Sequence, residues 1–231
     1  MPVYDEASIG FTLGFFEHDE KRPAALQSVT IDKMDRMLNR IFSSGSMRIQ
    51  REFNGITDVN TVNSVSTPPT ISGDYGVDGV KWAVTVALDD PFFHATTAQD
   101  ISVSSGNAIS QLSTYDAPIY RGTVIRINSI SGTSIKITDA RSGTGIIWNG
   151  ALTSEKYLYI DIDSFTAWTA TDSADWGASS GSTDVSNGLD YLPSGPLQLW
   201  PTQSMTDIYS SVYRIIASSG TIVLHTIGAR Y

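Results

Sequence analysis

Beyond Pro91 the chain is cut into short β-type runs by Gly- and Ser-containing turns at intervals of about ten residues, the rhythm expected of a sandwich. Ile125 and Ile127 before Ser131-Gly132, with Ile135 and Ile137 after it, predict one hairpin; Val212 to Ile216 and Ile222 to Ile227, across Ser218-Ser219-Gly220, predict a second. In 157–163, Leu158, Ile160 and Ile162 are expected to turn inward, leaving Tyr157, Tyr159, Asp161 and Asp163 outside. Residues 169–190 are rich in Ser, Thr, Asp and Gly and predict a long exposed loop with little regular structure.

The N-terminal part has a different pattern. Ile31, Met34, Met37, Leu38, Ile41 and Phe42 fall within an arc of about 140° at about 100° per residue, which predicts a helix over 31–42 covering a sheet. Thr30 suits its N-cap and Gly45 its stop. Val80, Trp82, Val84, Val86 and Leu88 alternate with Lys81, Ala83, Thr85 and Ala87, as a half-buried antiparallel strand does. Met47 to Phe53 suits another strand, and Ser64 to Asp78, with Pro68-Pro69, reads as a loop or strand-poor arm. Two domains are expected, 1–93 and 94–231.

Composition narrows the function. With 231 residues, 41% of them hydrophobic, there is enough apolar material for ordinary cores. No run of about 18 apolar residues occurs and no secretory leader is evident, so the expectation is a chain without membrane insertion, made in a cytoplasm. Zero cysteines exclude disulfides, thiol catalysis and cysteine-ligated metal. A net charge of -9 opposes nonspecific nucleic-acid binding, and the basic group Lys33, Arg36, Arg40, Arg48 and Arg51 reads as a solvated face.

Catalytic and metal patterns are weak. Asp161 and Asp163 share one strand face, loosely meeting the spacing of glycosidase acids, but outward strand faces carry such residues anyway. With Asp172 or Asp175 they would have to gather six to eight oxygens to hold calcium, and no loop has the required periodicity. His18, His94 and His225 are scattered, without a zinc pair or a serine elbow; His225 reads as a partly buried strand histidine. No enzyme, cofactor or metal is therefore expected. The aromatic group Trp168, Trp176, Tyr157 and Tyr159 is the ligand candidate, as a platform on which a sugar ring stacks. The same residues suit anchoring of their own loop or a subunit contact, the favoured reading.

The order of motifs adds a family. Asp90-Pro91-Phe92-Phe93, the turn Asp139 to Gly145 after an alternating strand, Gly150, Tyr157-Leu158-Tyr159-Ile160-Asp161, and Leu192-Pro193-Ser194-Gly195-Pro196-Leu197 together resemble the distal tail proteins, a minor tail protein family of long-tailed, siphovirus-type phages. Pro196 stands where the family carries asparagine, and the region before Pro91 is short for it. The resemblance implies a mainly β protein: an N-terminal tail-tube-like β-sheet domain with one flanking helix, then a galectin-like or carbohydrate-module-like β-sandwich. It implies a homo-hexameric ring in the virion, joining the tail tube protein to the tail hub or tip protein of the baseplate, with side fibres or a receptor-binding protein as further partners. Alternatives are a carbohydrate-binding sandwich for host glycan attachment, or another tail or neck structural protein.

Overall fold

The computed structural model describes residues 7–15, 33, 36–38, 40–42, 47–53, 55–66, 80–130, 132–153, 156–203 and 210–231. The chain divides into two compact units, Val3–Pro91 and Phe92–Tyr231. It is mainly β.

In the first unit the strands are β1 (Ser8–Phe15), β2 (Met47–Phe53), β3 (Ile56–Ser66) and β4 (Val80–Leu88). All pairings are antiparallel, in the order β1-β4-β3-β2. Val84, Val86 and Leu88 are buried while Ala83 and Thr85 are exposed, as strict alternation requires. Strand β3 was not legible as a strand because its buried face carries polar residues. Asp58 is paired with Arg51 at 3.5 Å, and Asn60 donates through Nδ2 to the Asp90 carbonyl at 2.7 Å. Arg51 thus leaves the expected solvated basic face.

Residues 33, 36–38 and 40–42 are helical; Ile31, Met34 and the expected caps Thr30 and Gly45 lie outside the described residues, as do 67–78 of the expected arm, whose first residues, 64–66, belong instead to β3. The helix does not cover its whole apolar arc. Leu38 and Phe42 are partly buried, but Met37 is 51% and Ile41 47% exposed.

The second unit opens with β5 (Phe93–Ala95) and β6 (Gln99–Val103), a 3-10 turn at Ser110–Leu112, then β7 (Val124–Asn128), β8 (Ser134–Asp139), β9 (Gly145–Asn149), β10 (Tyr157–Asp161) and β11 (Thr166–Ala170). It continues through β12 (Thr183–Asp184), a 3-10 turn at Ser186–Gly188, β13 (Leu189–Tyr191), β14 (Thr202–Gln203), β15 (Ser211–Val212), β16 (Ile215–Ala217), β17 (Thr221–Thr226) and β18 (Ala229–Arg230). A six-stranded sheet in the order β12-β11-β10-β7-β17-β6 and a four-stranded sheet in the order β13-β9-β8-β16 make the sandwich. Ile101, Ile125, Ile127, Leu158, Ile160, Ile222 and Leu224 of the larger sheet, with Ile135, Ile137, Ile146, Trp148 and Ile215 of the smaller, are at most 2% exposed and form its core.

Neither expected hairpin forms. Strand β7 pairs with β10 and β17, whereas β8 pairs with β9 and β16. The connections from β7 to β8 and from β16 to β17 therefore pass from one sheet to the other. The isoleucines are buried all the same, Ile125 and Ile127 in the larger sheet and Ile135 and Ile137 in the smaller; a turn signal and alternation are common to both arrangements, so local sequence does not separate them. The stretch 169–190 is also more regular than expected, since β12 pairs with β11 and β13 with β9.

Tyr213 is fully buried and its hydroxyl donates to the Ala117 carbonyl at 2.8 Å. Burial, with the Asp116 charge behind it, pushes the phenol well above its ordinary value. The unfolded chain then loses this proton first, so stability falls as pH rises above about 10, by about 1.4 kcal/mol per pH unit from this group. Tyr213→Phe should remove that share of the slope while costing about 1 kcal/mol near neutrality. Urea unfolding across the alkaline range checks this; an unchanged slope in the variant would assign it to other groups.

Candidate functional site

Alternation in β10 sends Tyr157 and Tyr159 to the face of the large sheet opposite Leu158 and Ile160, and the β10–β11 register sets Trp168 beside Tyr159. The two rings are parallel, 5.5 Å apart. Here the sequence expectation is corrected: Tyr159 is not outside but 0% exposed, and Trp168 is 5% exposed. The cause is the chain just after β11, which folds back over this face.

That cover is held by directed bonds. The Tyr159 hydroxyl donates to the Asp172 carbonyl and accepts from the Asp175 amide at 3.3 Å, and Trp168 Nε1 donates to the Asp175 carbonyl at 3.0 Å. Asp172 and Asp175 shape the segment themselves, accepting from the amides of Ala174 at 2.9 Å and Ser179 at 2.7 Å. Burial raises the Tyr159 phenol above its usual value. Trp176 closes the cover edge-on to Tyr159 at 5.6 Å and stacks on His225 at 4.7 Å.

Around the rim, Arg126 lies over Tyr157 at 5.2 Å and over Trp176 at 5.3 Å, and its guanidinium donates to the Ser173 carbonyl. His225 Nδ1 is 2.5 Å from Asp100 Oδ1, across the β17–β6 pair. Arg126, Asp100 and His225 were not tied to the aromatic group by sequence; only the register of β7, β17 and β6 brings them there. All four predicted aromatics come together, yet the faces of Tyr159 and Trp168 are taken by each other and by the loop. Any stacking surface is confined to the half-buried Tyr157 and Trp176.

The acids behave as turn formers. Asp161 Oδ1 accepts from the amides of Asp163 at 2.9 Å and Ser164 at 3.1 Å, fixing the β10–β11 turn. Among the described residues no three His, Asp or Glu side chains gather as a metal site would require.

No protein-family model matches the chain, and no curated protein matches it. Solved structures do. The crystal structure of the SPP1 Dit (gp 19.1) protein, described as a paradigm of the hub adsorption apparatus in Gram-positive infecting phages, matches with a TM-score of 0.50 and 12% identity, over 97% of this chain and 79% of that one. The chain shares the fold of SPP1 Dit. Two structures of the phage p2 baseplate in its activated conformation, with Ca and with Sr, match with TM-scores of 0.33 and 0.35, each at 12% identity over 98% of this chain and 80% of theirs.

Within this Dit-like fold, two motifs far apart in sequence lie against each other. The Gly145 amide donates to the Gly195 carbonyl at 3.0 Å, the Leu192 amide to the Gly145 carbonyl at 3.0 Å, and the Ser194 hydroxyl to the Gly143 carbonyl at 2.6 Å. The turn Asp139 to Gly145 and the segment Leu192 to Leu197 are thus one structural unit.

Proposed function

We propose that the chain is a structural virion protein at the distal end of a phage tail, forming a ring that joins the tail tube to the tail tip or baseplate and its fibres. The observation that carries this reading is the likeness to SPP1 Dit over 97% of the chain, which takes in both units rather than the sandwich alone. In it, residues 1–93 are the tail-tube-like, ring-forming domain and 94–231 the galectin-like sandwich that projects outward. Among the described residues β1 and β2 end the sheet of the first unit, and strand edges of this kind are what neighbouring subunits in a closed ring pair or cover. The role is non-enzymatic. The commitment of Asp161 to its turn supports that, and the loop bonds of Tyr159 and Trp168 support anchoring over sugar stacking.

Light scattering with negative-stain imaging tests the ring. Six copies of the 25.0 kDa chain should give a species of about 150 kDa with an open lumen. A strict monomer, at concentrations where the tube protein also fails to recruit it, would overturn the ring. It would favour a carbohydrate-binding module for host glycan attachment, acting through Tyr157 and Trp176.

A further inference from the structure

We infer that the second unit carries an oxyanion site at the end of the small sheet, built from Arg141, Arg214 and Trp200, which takes the terminal phosphate or carboxylate group of a larger molecule. Three separated segments converge there. The turn after β8 brings Ala140 and Arg141, the β14 region brings Trp200 and Thr202, and the β15–β16 region brings Val212 and Arg214, around a cavity of about 60 Å³.

Each segment is fixed by bonds, and Arg141 and Arg214 both line the cavity. Asp139 is buried and its carboxylate is used on the protein, accepting from the amides of Arg141 at 3.2 Å, Ser142 at 2.7 Å and Trp200 at 3.2 Å, and from the Ser142 hydroxyl at 2.8 Å. It is thereby tied to the turn and to the Trp200 backbone. The Ala140 amide donates to the Arg214 carbonyl at 3.0 Å, and Thr202 pairs with Val212 across β14 and β15. Arg141 donates to the Pro201 carbonyl and sits 6.0 Å from the centre of the Trp200 ring, which orients its planar fork. Arg214 is exposed beside fully buried Tyr213 and Ile215, so its backbone is fixed and its side chain is at the surface. Among the described residues neither arginine forms an ion pair.

Two arginines lining one small cavity, in a chain of net charge -9, are an arrangement that an anion relieves. Their donors match the oxygens of phosphate or carboxylate in two parallel bonds, and a charged acceptor strengthens each. Size limits what enters: a cavity of about 60 Å³ that opens to the surface holds the ionised group, and the body of the molecule stays outside. The site is separate from the aromatic face on the large sheet and does not depend on ring formation.

The test uses the full chain labelled with ¹⁵N, titrated with sodium phosphate, acetate and glycerol 3-phosphate at constant ionic strength, with chloride as control. Saturable shifts of the Arg141 and Arg214 Nε–H signals and of the Trp200 indole are expected, with dissociation constants of about a millimolar. Arg214→Gln should weaken binding by about tenfold with an unchanged melting temperature, and Arg141→Lys should weaken it while keeping the charge. If inorganic phosphate binds and glycerol 3-phosphate does not, the site takes the free ion only and the carried group is refuted. Shifts that do not saturate, or that persist unchanged in Arg214→Gln, overturn the site altogether. The oligomer mass of the same sample reports separately on the ring.

Discussion

Trp168→Ala should lower the stability of the protein by about 3 to 5 kcal/mol, the range for truncating a buried large aromatic. Trp168 is 5% exposed, stacks on Tyr159 at 5.5 Å, and belongs to a cluster with Val124 and Ala170 against which Tyr157 and Trp176 pack. The loss has two parts. The cavity removes apolar contact on the outer face of the large sheet, and the missing Nε1 donor leaves the Asp175 carbonyl without the bond that fastens the loop. Trp168→Phe separates them in part, because it keeps a six-membered ring and loses the donor with a smaller share of the apolar contact; about 1 to 2 kcal/mol is expected. Urea midpoints measure both, and limited proteolysis should cut first within 171–179 in the alanine variant. A change in midpoint for Trp168→Ala no larger than that of an exposed residue would mean that the loop does not cover the sheet.

Gly145→Ala should cost about 3 kcal/mol or more, at the upper end of overpacking effects. A Cβ at this position would stand 2.2 Å from the Ile137 carbonyl oxygen, 2.8 Å from Leu192 Cδ1 and 2.9 Å from Thr138 Cγ2. The first of these is backbone of the neighbouring strand, so β8 and β9 must separate, and the bonds from Gly145 to Leu192 and Gly195 go with them. Gly143 is the control. It has open space around a built Cβ but a φ of +70°, so Gly143→Ala pays only the left-handed conformation, about 1 to 2 kcal/mol. Calorimetric melting of the two variants decides the matter: equal losses would show that Gly145 is needed for local conformation and not for the close approach of two motifs.

The aromatic group shows where legibility ended. That Tyr157, Tyr159, Trp168 and Trp176 belong together followed from their nearness in sequence on either side of one strand turn. Their accessibility did not follow, because Tyr159 has the alternation of an outward residue and is buried by a loop whose Ser, Thr, Asp and Gly content signals exposure. Polar composition speaks of side chains facing water; it is silent about a backbone whose carbonyls of Asp172, Ser173 and Asp175 face inward. The oxyanion site was less legible still. Arg141, Trp200 and Arg214 lie in three segments up to 73 residues apart in the numbering, and although Arg141 falls within the Asp139 to Gly145 turn, nothing in the sequence ties that turn to Trp200 or Arg214.

By itself the sequence determined the fold class, the positions of β2, β4, β8 and β10, and the helical character around 36–42, because each depends on periodicity within a few neighbouring residues. It also determined the order of motifs along the chain. Strand partnership was decided only in three dimensions. The same Ile-rich runs flanking Ser131-Gly132 satisfy a hairpin or a crossing between sheets equally well, and what selects the crossing is the pairing of β7 with β10 and β17, whose residues are remote in sequence. The buried face of β3 and the covered face of the large sheet follow the same rule. Local pattern states which side chains can be buried, and only the packed chain decides what buries them.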